Sequence, residues 1–217
     1  MYGGDTKNKL QDIISGTHID WQADYCTAAR NFLCTSFSPS TSVKRDSDRL
    51  SAIKKEQAAS LTEYIGRTNR KLEPITQENR FLTAGGEAEI YFFQEEGYVS
   101  KVNDAVYYST WLDFFTSVLI HNLLFEDTSY ELKGFIQSDL SLKAVLKQKF
   151  IPSDAPVDMV EVKNFLEFNG FSNTKRNDYF NKEFRLILED IHDENVIMNS
   201  GTIFFIDTVF YIDKSNE

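Results

Sequence analysis

One stretch near the C-terminal end constrains the fold of this chain more than any other. Leu186-Ile-Leu-Glu-Asp190-Ile-His192-Asp-Glu-Asn195 leads into Val196-Ile-Met198, then Ser200-Gly201, then Ile203-Phe-Phe-Ile206 and Asp207. Short apolar runs on either side of a Ser-Gly pair read as a β-hairpin closed by a tight turn. A hairpin returns the chain to its starting end. Asp190 and Asn195 at the entrance and Asp207 just past the exit are therefore expected at one edge of one ribbon. Oxygen donors grouped in this way suit a hard cation such as Mg²⁺, which takes one or two carboxylates and fills its remaining positions with water or phosphate oxygens.

Upstream of this stretch the hydrophobic period changes. Before about Asn79 it is helical. Residues 5–15 carry Leu10, Ile13 and Ile14 on one face, with Asp5 or Thr6 as the expected cap and Gly16 as the stop. Residues 19–35 place Trp21, Tyr25, Ala28, Phe32 and Leu33 at helical spacing. A Ser/Pro linker over 35–42 follows, then a third helix over 47–65 with Leu50, Ile53, Leu61 and Ile65 inward and Gly66 after it. No catalytic constellation marks these helices, and His18 reads as a loop histidine. From about Asn79 the period is two. Strands are expected over 80–83, 88–93 and 98–102, joined by turns at Gly85-Gly86 and Glu95-Glu96-Gly97, with two more at 130–137 and 142–151 around Ser138-Asp139. Residues 105–124 read as an aromatic helix with Tyr107, Trp111, Phe115 and Val118 on its apolar face, and His121 to Phe125 as its end. After Pro156 a further helix is expected to turn Val160, Phe165 and Leu166 inward and to close at Gly170. Asn173 to Asn177 reads as a polar loop, and Tyr179 to Leu188 as β structure returning to Asp190.

Composition narrows the function classes. The chain has 217 residues, 41% of them hydrophobic, and 18 phenylalanines, enough for a substantial core and too apolar for a disordered chain. Its net charge of −10 disfavours general nucleic-acid binding, which depends on Lys and Arg against phosphates, while leaving room for a locally basic nucleotide pocket. Cys26 and Cys34 are spaced too far along one helix to bridge and read as buried thiols of a cytoplasmic protein. No apolar run is long enough for a membrane span, and no signal-peptide pattern opens the chain. The chain ends soon after Asp207, as a segment of a longer polypeptide would.

The residues quoted above resemble a family. Asp190-Ile-His192-Asp-Glu-Asn195 is similar to the Asp-x-x-x-x-Asn catalytic loop of the protein-kinase-like fold, and Asp207 in Phe205-Ile-Asp207-Thr to the metal-binding acid that follows it. The nearest resemblance is to the kinase-like domain found in polyvalent proteins of phages and mobile elements, over roughly residues 80–213. It implies an α+β, two-lobed protein-kinase-like fold: an N-terminal helical region over 1–78, an antiparallel five-stranded small lobe over 79–150, and a reduced large lobe with the catalytic loop over 151–217. It also implies ATP and Mg²⁺ as cofactors and a protein or small-molecule hydroxyl as phosphate acceptor.

The same resemblance assigns roles. Asp190 is the base or orienting acceptor for the attacking hydroxyl, and Asn195 and Asp207 hold the metal. Lys101 contacts nucleotide phosphates, Gly85 and Gly86 form the loop that covers them, and Gln148 to Phe150 lie at the adenine-binding hinge. His192 buttresses the loop or faces the substrate, while Asp193 and Glu194 are solvated. Departures are visible too. Thr83 and Ala88 stand where the outer glycines are expected. No Glu lies between Lys101 and Phe125 to pair with the lysine, Asp113 being the one acid inside that helix. Thr208 follows Asp207 where protein kinases have Phe-Gly. Two readings result: an ATP- and Mg²⁺-dependent phosphotransferase, or a pseudokinase-like module that binds nucleotide or a partner without transfer.

Overall fold

A computed structural model describes residues 3–37, 47–75, 80–86, 88–137 and 141–214. The chain folds into two compact units that interleave along the sequence. A sheet unit comprises His18–Phe115 and Tyr130–Phe150; a hairpin unit comprises Met1–Thr17, Thr116–Ser129 and Ile151–Glu217. Among the described residues, no helix is long and apolar enough to cross a membrane.

The sheet unit starts with α2 (Tyr25–Ser36) and α3 (Ser47–Thr68), α1 belonging to the other unit. The second helix begins later than its apolar spacing predicts, for two local reasons. Asp24 caps it by accepting from the Thr27 amide at 2.9 Å. Upstream, the Asn31 side chain accepts from the Ile19 amide at 3.0 Å and donates to the Ile19 carbonyl at 2.7 Å, so those groups are satisfied without a helical turn. The third helix runs through Gly66 and ends at Asn69, which takes the left-handed conformation at φ 54°. The expected Ser/Pro linker falls mostly outside the described residues, as does the Ser138-Asp139 turn.

All five expected antiparallel strands form: β2 (Phe81–Ala84), β3 (Ala88–Phe93), β4 (Tyr98–Asn103), β5 (Tyr130–Gln137) and β6 (Leu142–Lys149). The sheet nevertheless has six strands, not five, in the order β1-β5-β6-β4-β3-β2. The extra strand, β1 (Lys71–Leu72), pairs parallel to β5. Room for it comes from Gly134, where β5 bulges: a Cβ there would lie 2.5 Å from the Arg70 carbonyl oxygen. Under one face lie the fully buried Phe115 and Phe135, ring centroids 6.2 Å apart.

The aromatic helix, α4 (Trp111–Leu124), is shorter than its 105–124 pattern suggested. Thr110 sets its start: the Thr110 hydroxyl accepts from the Asp113 amide at 3.1 Å and donates to the Asp113 carboxylate at 2.8 Å, a reciprocal capping arrangement. Tyr107 therefore lies before the helix, 61% exposed, and not on its apolar face. The segment leading into α4 is held from α3. Lys54 donates to the Ala105 and Tyr108 carbonyls at 2.5 and 3.0 Å, and the Gln57 side chain accepts from the Leu112 amide at 3.0 Å. Burial pushes the Lys54 ammonium below its ordinary pKa, with Asp104 and Asp113 opposing that shift.

The hairpin unit contains α1 (Gly4–Ser15), which ends at Gly16 as expected but starts from Gly3 with no side-chain cap, neither Asp5 nor Thr6 serving. In α5 (Met159–Phe168) the buried residues are Val162 and Leu166, whereas Val160 and Phe165 are exposed, contrary to their expected inward placement. A four-stranded sheet follows in the order β12-β9-β8-β7, built from β7 (Phe171–Lys175), β8 (Asp178–Asn181), β9 (Leu186–Glu189) and β12 (Val209–Ile212). Of the polar stretch expected as a loop, Asn173 to Lys175 instead belong to the edge strand β7, exposed after its first residue, Phe171, while Arg176 and Asn177 form the turn into β8. The hairpin forms as predicted from β10 (Val196–Asn199) and β11 (Thr202–Phe205), with Val196 opposite Phe205. Ser200 and Gly201 both have positive φ, 50° and 73°, as a two-residue turn of the primed kind requires.

Gly134→Ala should force β1 away from β5, because its new neighbour is a backbone carbonyl that cannot swing aside. Thermal or urea denaturation should show a loss of about 1–3 kcal/mol. An unchanged midpoint would mean that this close approach is not needed.

Candidate active site

The hairpin unit assembles Asp190, His192, Asn195 and Asp207 on the connections of its strands. Asp190 follows β9 and sits at φ 65°, a left-handed conformation that Asp tolerates better than most residues. The flanking backbone is tied to the β7–β8 connection: the Asp190 amide donates to the Asp178 carboxylate at 3.4 Å, and the Ile191 amide to the Asn177 carbonyl at 3.1 Å. Ile191 is fully buried beneath the loop. The carboxylate of Asp190 is 61% exposed.

Within the loop the side chains engage one another. The Asn195 amide nitrogen donates to the Asp190 carbonyl at 2.9 Å and to Asp190 Oδ2 at 3.0 Å. Two acceptors on one side fix which end of the amide faces Asp190, so the Asn195 carbonyl oxygen is the end left to accept or to ligate. His192 Nδ1 accepts from the Glu194 amide at 3.3 Å, and its Nε2 lies 3.3 Å from Asp190 Oδ1 and 3.1 Å from the Asn195 amide nitrogen. Both carboxylate oxygens of Asp190 are thus oriented from inside the loop. A carboxylate has about four lone-pair sites, so further hydrogen bonds can still be accepted. Asp193 and Glu194 are exposed, as expected.

Asp207 is connected to this loop through the backbone. The Ile206 amide donates to the Asn195 carbonyl at 3.0 Å, linking the residue before Asp207 to the far end of the Asp190–Asn195 loop. The hairpin register does the rest, since Val196 and Phe205 are paired. Asp207 itself is half-buried. The donor set of a carboxylate and an amide oxygen is hard and suits Mg²⁺ rather than a thiophilic metal. Among the described residues no group of three or more His, Cys, Asp and Glu side chains is placed to hold a metal ion.

The sheet unit holds the other residues singled out from sequence. Lys101 lies on β4, in register with Ile90 of β3 and Leu146 of β6. It is buried, 6% exposed, and its ammonium donates to the Tyr130 hydroxyl at 3.2 Å. A buried lysine needs such partners, because an uncompensated charge in a low-dielectric interior is costly. Tyr130 opens β5, opposite Gln148, and nothing in local sequence links it to Lys101. Asp113, the acid inside α4, is engaged in its own helix cap.

The glycine pair splits in character. The Gly85 amide donates to the Ala88 carbonyl at 2.9 Å, as in a plain hairpin turn, and a Cβ on Gly85 would meet nothing. A Cβ on Gly86 would lie 2.0 Å from the Tyr107 hydroxyl, so Gly86 is where another group approaches the turn closely. Gln148 is buried at 2% exposure within the sheet. Phe150 donates its amide to the Gly97 carbonyl at 3.0 Å and packs its ring on Phe92, centroids 4.3 Å apart.

A loop with Asp190 and Asn195 joined side chain to side chain, an acid after the following hairpin, and a buried lysine on a central sheet strand are the features a kinase-like protein carries. The chain belongs to the family of serine/threonine/tyrosine kinases found in polyvalent proteins, which it matches over residues 54–214. That match takes in Lys101, the Asp190–Asn195 loop and Asp207, and begins within α3. No curated protein and no solved structure matches the chain.

Tyr130→Phe removes the phenolic partner of a buried ammonium and almost nothing else. Stability should fall by about 1–3 kcal/mol in chemical denaturation. A variant as stable as the parent would show that the Lys101–Tyr130 bond contributes nothing to the fold.

Proposed function

We propose that the protein is an ATP- and Mg²⁺-dependent phosphotransferase acting on a hydroxyl of a protein or a small molecule, in the cytoplasm where ATP is available. The observation that supports this most is the Asp190–Asn195 pair, tied through Ile206 to the segment bearing Asp207. Hydrogen bonds that merely close a hairpin do not require a left-handed aspartate whose carboxylate is oriented by two side chains and still largely exposed.

In this reading Asp190 accepts the proton of the attacking hydroxyl as its oxygen bonds to the γ-phosphorus and the bond from phosphorus to the ADP oxygen breaks. His192 and Asn195 hold the Asp190 carboxylate in place, so little reorganisation is needed at the moment of transfer. Asn195 and Asp207 would hold Mg²⁺, which supplies neutralisation of phosphate charge. Lys101 provides a fixed positive charge for phosphate oxygens. Gln148 to Phe150 would serve adenine through backbone groups; Gly85 and Gly86 would lie over the phosphates.

ATP should raise the melting temperature of the full chain only when Mg²⁺ is present. In a radiolabel assay with protein and small-hydroxyl acceptors, Asp190→Ala should lower transfer by roughly 10²–10⁴-fold. ATP-induced stabilisation that ignores Mg²⁺, or equal transfer by the variant and the parent, would discard the enzyme reading in favour of a binding module.

A further inference from the structure

Asp207 is bracketed by hydrogen bonds on both flanks, and α4 and the turn that leaves it supply three of them. On the N-terminal side, the Thr128 hydroxyl donates to the Phe205 carbonyl at 2.6 Å, and the Ile206 amide donates to the Asn195 carbonyl at 3.0 Å. On the C-terminal side, Thr208 Oγ1 lies 2.7 Å from His121 Nδ1, and the Phe210 amide donates to the Ser117 hydroxyl at 2.9 Å. His121 is fully buried; Ser117 and Thr128 are 1% exposed and Thr208 is 5% exposed.

The chemistry of the imidazole makes the His121–Thr208 contact directional. His121 Nε2 lies 3.0 Å from the Thr128 carbonyl, which can only accept, so Nε2 carries a proton. In the neutral ring Nδ1 is then an acceptor, and the Thr208 hydroxyl must be its donor. One buried ring therefore reads both the turn after α4 and the residue that follows Asp207. The Phe125 ring, stacked on Phe205 at 4.4 Å, completes the enclosure.

We infer that His121 and Thr208 are a positioning pair: the hydroxyl bond to the ring fixes the backbone at Asp207 and so aims its carboxylate at a divalent cation. The inference rests on the reading of Asp207 as a cation ligand. It gives a role to the threonine that stands where the sequence departs from the kinase pattern. Groups that orient metal ligands typically change metal affinity by about 10–100-fold when removed. Neither His121 nor Thr208 touches the reacting atoms in this scheme; both act through Asp207.

The test uses the full chain with Thr208→Val, Thr208→Ala and Thr208→Ser, and reads the Mg²⁺ concentration that gives half of the ATP-dependent rise in melting temperature. The Val and Ala variants, which lack the hydroxyl, should need roughly tenfold or more Mg²⁺. Thr208→Ser, which keeps it, should return close to the parent value. Equal Mg²⁺ requirements in all four proteins would overturn the inference while leaving the kinase reading intact. A parent protein with no Mg²⁺-dependent response would instead remove the kinase reading and this inference with it. If neither hydroxyl-less variant folds while Thr208→Ser does, the bond is a fold contact and the positioning role is lost.

Discussion

A buried imidazole hydrogen-bonded through both nitrogens is the interaction on which the candidate site depends. His121 is withdrawn completely from water, so each ring nitrogen must find a protein partner or pay for its desolvation. Thr128 and Thr208 supply those partners. Because Thr128 also holds Phe205, α4 and the short turn after it grip the end of β11 and the residue after Asp207. A bare hairpin would leave its exit strand free to vary in direction. Here the chain from Phe205 to Phe210 is fixed at four points, and Asp207 falls in the middle of them.

The sheet unit handles a comparable burden by a different route. Lys101 is buried on a central strand, where an ammonium is tolerated only with nearby acceptors. Its phenolic partner comes from the start of β5, two strands away in the sheet order, brought close by the register of β4, β5 and β6. Both units therefore place their chemistry-bearing groups by long-range polar contacts laid over apolar packing. Lys54 and Gln57 of α3 extend the same logic to the start of α4, satisfying backbone groups that the helix itself cannot.

What sequence reveals and what it hides divides along the same line. The β10–β11 hairpin is legible because short apolar runs and a Ser-Gly turn each point to one local structure, and the five long strands are legible from period-two runs. Helix starts are misplaced where a polar side chain overrides apolar spacing: Asp24 begins α2 late, and Thr110 with Asp113 begins α4 late. Strand β7 escapes detection because an exposed edge strand has the composition of a loop, and β1 because two residues carry no period at all. Of the candidate site, Asp190, Asn195 and Lys101 are visible as a motif at family-like spacing, and the family match covers them. Tyr130, His121 and Thr208 are invisible in local sequence. Their partners lie far off along the chain, and only the folded register brings them together.

Under the proposed function, Asp207 is held in position to bind a divalent cation beside a nucleotide. Electron paramagnetic resonance of Mn²⁺ titrated into the protein with saturating ATP tests it most directly. The parent protein should give a spectrum of Mn²⁺ immobilised in a ternary complex, and Asp207→Ala should give only that of Mn²⁺ bound to free ATP. The same immobilised spectrum from both proteins would contradict the claim.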